Sequence, residues 1–99
     1  MQLNVDFINS ERDKELEQSI ISRIKNSFNQ GFISSVKVLI KKCKMSKTWK
    51  SEIDIISFAG SILHTQSKSL DHIVAFDKAI ENMEKQWVKL KNERLSLRA

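Results

Sequence analysis

The strongest constraint in this sequence lies in its last third. Ile73, Phe76, Ile80, Met83, Trp87 and Leu90 recur at spacings of 3, 4, 3, 4 and 3. That spacing lays six apolar side chains along one stripe of an α-helix. No Pro or Gly interrupts the run from Ser69 to Leu95. At about 1.5 Å per residue this predicts a helix roughly 40 Å long. Ser69 fits its N-cap, because the hydroxyl can accept an amide of the first turn that has no partner within the helix. Asp71 falls where the helix dipole favours an anion, and Lys89, Lys91 and Arg94 fall near the end that favours cations. A coiled-coil seam would need flanking apolar repeats, which this stretch lacks. The helix therefore needs a broad apolar surface, and the preceding residues must supply it.

They do so as strands. Leu3, Val5 and Phe7 alternate with Gln2, Asn4 and Asp6, the pattern of a half-buried strand. Asn9-Ser10 breaks the alternation, and either Ser10 or Asp13 fits the cap of a helix carrying Leu16, Ile20, Ile24 and Phe28 at i+4 steps. Its charges run from acidic (Glu11, Asp13, Glu15, Glu17) to basic (Arg23, Lys25), with the dipole. Gly31 fits the left-handed residue that ends it. Val36, Val38 and Ile40 mark a second strand, and Met45 to Thr48 reads as a connection. Ile53 and Ile55 mark a third strand, Ser57 to Gly60 a turn, and Ile62 to Ser67 a short fourth strand. The order is β-α-β-β-β-α. Short connections predict an antiparallel meander for the last three strands, with the first strand parallel to or near the second. The expected architecture is an α/β two-layer sandwich, a four-stranded sheet with two helices on one face, in one domain over residues 1–99.

Charge narrows the function. Seventeen Lys and Arg against twelve Asp and Glu give a net charge of +5, a balance that suits polyanions or ordinary solubility. Six lysines (37, 41, 42, 44, 47 and 50) and no acid lie between Lys37 and Lys50, with Trp49 among them. Such a segment can meet phosphates, with the indole stacking on a base. It equally suits a solvated strand protected against edge pairing, with Trp49 as a packing anchor. On the long helix, Glu81 can pair with Lys85 at i+4, which neutralises part of that face.

Catalytic signals are missing. His64 and His72 are far from the single Cys43 and suggest no metal site. His64 fits a sheet position, His72 the helix surface, and Cys43 an inert thiol. Two glycines cannot build a phosphate-cradling loop. No apolar run approaches a membrane span, and the N-terminus does not read as a signal peptide. The expectation is a non-enzymatic cytoplasmic protein without cofactor, metal, small-molecule substrate or membrane partner.

The opening Met1-Gln2-Leu3-Asn4-Val5, the element order and Gly60-Ser61-Ile62-Leu63-His64 resemble the ribosome hibernation promoting factors. These are also called ribosome-associated inhibitors or sigma-54 modulation proteins. The most similar part is Asp71-His72-Ile73-Val74-Ala75-Phe76-Asp77, continuing to Lys85-Gln86-Trp87-Val88-Lys89-Leu90-Lys91. Departures are Asn82 where the family often has Lys, Lys78 where it has a small residue, Ala59-Gly60 for a double glycine, and a Trp49 loop with no counterpart. The resemblance implies a double-stranded-RNA-binding-domain-like fold. It also implies docking on the small ribosomal subunit and its rRNA, which inhibits translation by blocking the messenger and transfer RNA channel. Lys85, Lys89, Lys91 and Arg23 match basic RNA-facing positions of the family, and Lys41, Lys42, Lys44 and Lys47 are expected to extend that patch. The chain stops soon after the long helix, as in short forms without a dimerisation domain, which implies a monomer. The competing readings are a protein-interaction module using the exposed sheet face and a general double-stranded RNA binder.

Overall fold

The alternation around Val5 becomes strand β1 (Gln2–Ile8) in a computed structural model of the chain. The structure describes residues 2–28 and 33–98; for Lys91 and residues 93–98 it describes the backbone alone. Helix α1 (Lys14–Ser27) follows β1, then strands β2 (Ile33–Cys43), β3 (Thr48–Ser57) and β4 (Ile62–Ser69), then helix α2 (His72–Arg98). The strands form one sheet in the order β1-β2-β3-β4. β1 runs parallel to β2, and the other neighbours are antiparallel. Element order and sheet agree with the sequence reading. The predicted end of the first helix at Gly31 lies outside the described residues; Phe28 is the C-cap seen, its amide donating to the Ile24 carbonyl at 3.2 Å.

Register explains the core. Three rows of side chains cross the sheet on its inner face: Leu3–Val36–Ile55–Leu63, Val5–Val38–Ile53–Thr65 and Phe7–Ile40–Ser51–Ser67. Leu16, Ile20 and Ile24 of α1 and Phe76, Ala79, Ile80, Met83 and Trp87 of α2 cover them. Each large side chain fully buried this way contributes about 1.5–3 kcal/mol. The buried Thr65 hydroxyl donates to the Ala79 carbonyl at 2.9 Å, a polar contact within the layer. The result is a two-layer α/β sandwich with one open sheet face.

Both helices begin at the same end of the sheet, where β2 turns into β3, hereafter the hairpin end. The Asp13 carboxylate caps α1 by accepting from the Leu16 amide at 3.1 Å, which decides between Ser10 and Asp13. At α2 the cap is Asp71, not Ser69: its Oδ1 accepts from the Ile73 amide at 2.7 Å and the Val74 amide at 3.4 Å. With the cap two residues later, the buried stripe starts at Ala75 and Phe76, and Ile73 is 52% exposed. His72, in the first turn, is half-buried with its ring centroid 5.0 Å from that of Trp49. His72 is thus a packing residue and not the surface residue expected. Asp71→Ala is expected to cost about 1 kcal/mol, whereas Ser69→Ala should cost far less. Chemical denaturation of the two variants checks the assignment, and equal midpoints would contradict it.

The hairpin turn is as short as the sequence suggested but lies one residue earlier. β2 and β3 pair out to Cys43–Thr48, leaving only residues 44–47 as the turn, with Lys47 at a positive φ of 54°. Trp49 therefore belongs to β3, between Lys42 and Ser69 in register, and not to a loop. β4 likewise runs on to Ser69. At the other end, Gly60 takes a φ of 88° in the β3–β4 turn, a conformation that disfavours side chains. Among the described residues no helix is long and apolar enough to cross a membrane.

Candidate nucleic-acid interface

The outward side of α2 follows from the inward one. With Phe76, Ile80, Met83 and Trp87 against the sheet, Lys85 and Lys89 point to solvent one turn apart, close enough to meet adjacent phosphates. Arg23 projects from α1 toward the same stretch and its guanidinium meets Glu84 at 3.3 Å. Glu81, Glu84, Lys85 and Val88 line a shallow depression beside it. The structure thus brings Arg23 and Lys85 to either side of Glu84, with Lys89 one turn further along α2. Glu81 and Glu84 line the same depression as Lys85, so the cations here are interleaved with carboxylates. The side chain of Lys91 lies outside the described residues.

The basic segment is split by the pleat. Lys41 points to the open face, while Lys42 points to the helix side, with its Nζ 5.6 Å from the Trp49 ring centroid. Lys44 and Lys47 sit in the hairpin turn. Trp49 is held between Lys42 and His72 and packs against the core. Its ring is a packing anchor in this structure, the reading that the sequence left open beside base stacking.

The two basic groups do not meet. His72 marks the hairpin end through Trp49, and α2 runs from there toward the other end, where Gln86 donates to the His64 carbonyl at 3.4 Å. Lys85 and Lys89 lie 13 and 17 residues along that helix, about 20–25 Å from its start. Lys41, Lys42, Lys44 and Lys47 stay at the hairpin end. They form a separate basic group and do not extend the helix patch, because the strand direction carries the β2–β3 turn away from the C-terminal half of α2.

Register also reveals residues that sequence reasoning left out of the site. Lys41 stands opposite Lys50, and Lys50 opposite Lys68, on three adjacent strands of the open face. Lys68 lies 18 residues from Lys50 in sequence. Aligning Lys68 with Lys41 takes both hairpin registers, which no single segment displays.

A basic α/β sandwich with β-α-β-β-β-α order and an open sheet face defines a fold shared by solved proteins. A ribosomal subunit interface protein from Coxiella burnetii superposes with a TM-score of 0.76 at 16% identity, covering 92% of this chain and 96% of that one. The N-terminal domain of Thermus thermophilus Protein Y superposes with a TM-score of 0.78 at 17% identity, covering 91% and 99%. At these identities the likeness is one of fold. No curated protein sequence matches. The profile of the Sigma 54 modulation protein / S30EA ribosomal protein family matches residues 3–95, and the chain belongs to that family.

Proposed function

We propose that this chain is a non-enzymatic factor that binds the small ribosomal subunit through its rRNA and inhibits translation by occupying the messenger and transfer RNA channel. The observation that carries this reading is membership of a ribosomal protein family over nearly the whole chain. The fold shared with a ribosomal subunit interface protein supports it. On this reading the chain acts in the cytoplasm as a monomer. Lys85, Lys89 and Lys91 with Arg23 contact RNA from the helix layer, and Lys41, Lys42, Lys44 and Lys47 contact it from the hairpin end. Binding by occupancy needs no reacting group. It needs positive charge on a rigid frame, which the packed helices and sheet supply.

One observation favours a second reading, a protein-interaction module on the open sheet face. Ile56 and Ile62 stand opposite each other there, with Phe58 in the adjoining turn, and all three are exposed. Co-sedimentation of the purified protein with separated ribosomal subunits over a salt series distinguishes the readings. We expect pelleting with small subunits that falls steeply as salt rises, because each neutralised phosphate releases counterions. Pelleting with neither subunit at low salt would remove the ribosome reading and promote the interaction module.

A further inference from the structure

We infer that the hairpin end of the open sheet face is a second, independent RNA-gripping surface, built on the cross-strand row Lys41–Lys50–Lys68, which holds the phosphate backbone of a different RNA segment from the one at α2. The inference rests on the ribosome reading for the source of the RNA, and on the sheet register for the site.

The row is a line. Directly opposite residues on neighbouring strands are about 4.8 Å apart, so the three lysines leave one face along a line about 10 Å long. Like charges directly opposite one another destabilise a sheet. Elsewhere on this face the register avoids that arrangement. Lys37 stands opposite Asp54, and Asp54 is in contact with His64. Within the row, Lys50 has an acid partner, its Nζ lying 3.1 Å from the Glu52 carboxylate. Among the described residues no carboxylate lies within ion-pair distance of Lys41 or Lys68.

Two ordinary explanations do not cover the row. Lysine guards exposed sheet edges against pairing, but β2 and β3 are interior strands and only Lys68 is on an edge. Solubility charge is interspersed in sign, and this row is of one sign. A phosphate chain laid across the strands would supply the missing counter-charge at Lys41 and Lys68, with Lys50 between them. A planar anionic lipid surface fits less well, because Asp6, Glu52 and Asp54 stand on the same face behind the row and would meet it too. Lys44 and Lys47 in the hairpin turn lengthen the surface, so the chain has basic surfaces at both ends, able to hold two RNA segments at once.

The test uses the full chain and the double variant Lys41→Gln/Lys68→Gln, which leaves the Lys50–Glu52 pair in place. The probes are small ribosomal subunits, a free RNA duplex of about 16 base pairs, and vesicles containing phosphatidylserine. We expect the variant to bind small subunits about tenfold more weakly, with the slope of log affinity against log salt reduced by about 2. Binding to the free duplex should weaken in parallel. Its melting temperature at low salt should hold or rise, since facing like charges have been removed. The charge-keeping pair Lys41→Arg/Lys68→Arg should bind as the wild type does. If the wild type binds subunits and the Gln variant matches it in affinity and slope, the inference is overturned and the ribosome reading stands. If the wild type pellets with no subunit, the ribosome reading fails, and the duplex decides the site: an unchanged slope overturns it. Equal losses in the Gln and Arg variants would assign the effect to packing, and binding to vesicles in place of RNA would assign the surface to a membrane; either overturns the inference.

Discussion

Replacing Trp87 by alanine should lower the stability of the fold by about 3–5 kcal/mol. The indole is 4% exposed and meets the Phe28 ring edge-on, with centroids 6.1 Å apart and planes at 87°. Phe28 is the C-cap of α1, so this pair ties the end of one helix to the middle of the other. Truncation removes the transfer energy of a large ring and leaves a cavity between two helices whose backbones are held by separate strands. Small domains are stable by about 5–15 kcal/mol in total, so the loss is a large share. Guanidinium unfolding of both proteins measures it, through a midpoint shift at constant slope. An unchanged midpoint would mean that this face of α2 does not lie on the sheet.

The second large effect concerns binding. Lys85→Glu with Lys89→Glu should weaken small-subunit binding by about tenfold or more at fixed salt, and should reduce the salt slope by about 2. It should relieve inhibition in a cell-free translation reaction to match. Both side chains are exposed and lie away from the buried stripe, so the change should cost the fold little. The reversal places two further carboxylates beside Glu81 and Glu84, which converts a mixed face into a repulsive one. Circular dichroism checks the fold. A folded variant that inhibits at the wild-type concentration would exclude the α2 patch as the contact, leaving the hairpin end as the binding surface.

Much of the architecture was legible because the periods are clean. Val36, Val38, Ile40, Ile53 and Ile55 alternate without error, and every one of them is buried. Phe76, Ile80, Met83 and Trp87 keep the helical period, and they too are buried. What escaped was set by contacts between segments. Ser69 and Asp71 are both good caps two residues apart, and the choice fell to Asp71 where His72 packs on Trp49. Ile73 keeps the period of the stripe but sits in the first turn, on the groove between the helices, and stays exposed. The lysines of residues 37–50 were visible as charge, but their sides were not. A four-residue turn with a left-handed Lys47 decides which lysines share a face, and no glycine signals it. Lys68 entered the row only through the register of β4.

The parallel pairing of β1 with β2 has a consequence in time. The register sets each β1 residue against one 33 positions later, as Gln2 against Ser35 and Ile8 against Lys41. The other strand pairs close through short turns as they are made. During synthesis at about 5–20 residues per second, β1 exists for about 2–7 s before its partner β2 does. Throughout that interval Leu3, Val5 and Phe7 have no sheet to lie in, and α1, made next, has nothing to cover. Asn4 and Asp6, alternating with them, keep the waiting segment hydrated until β2 arrives.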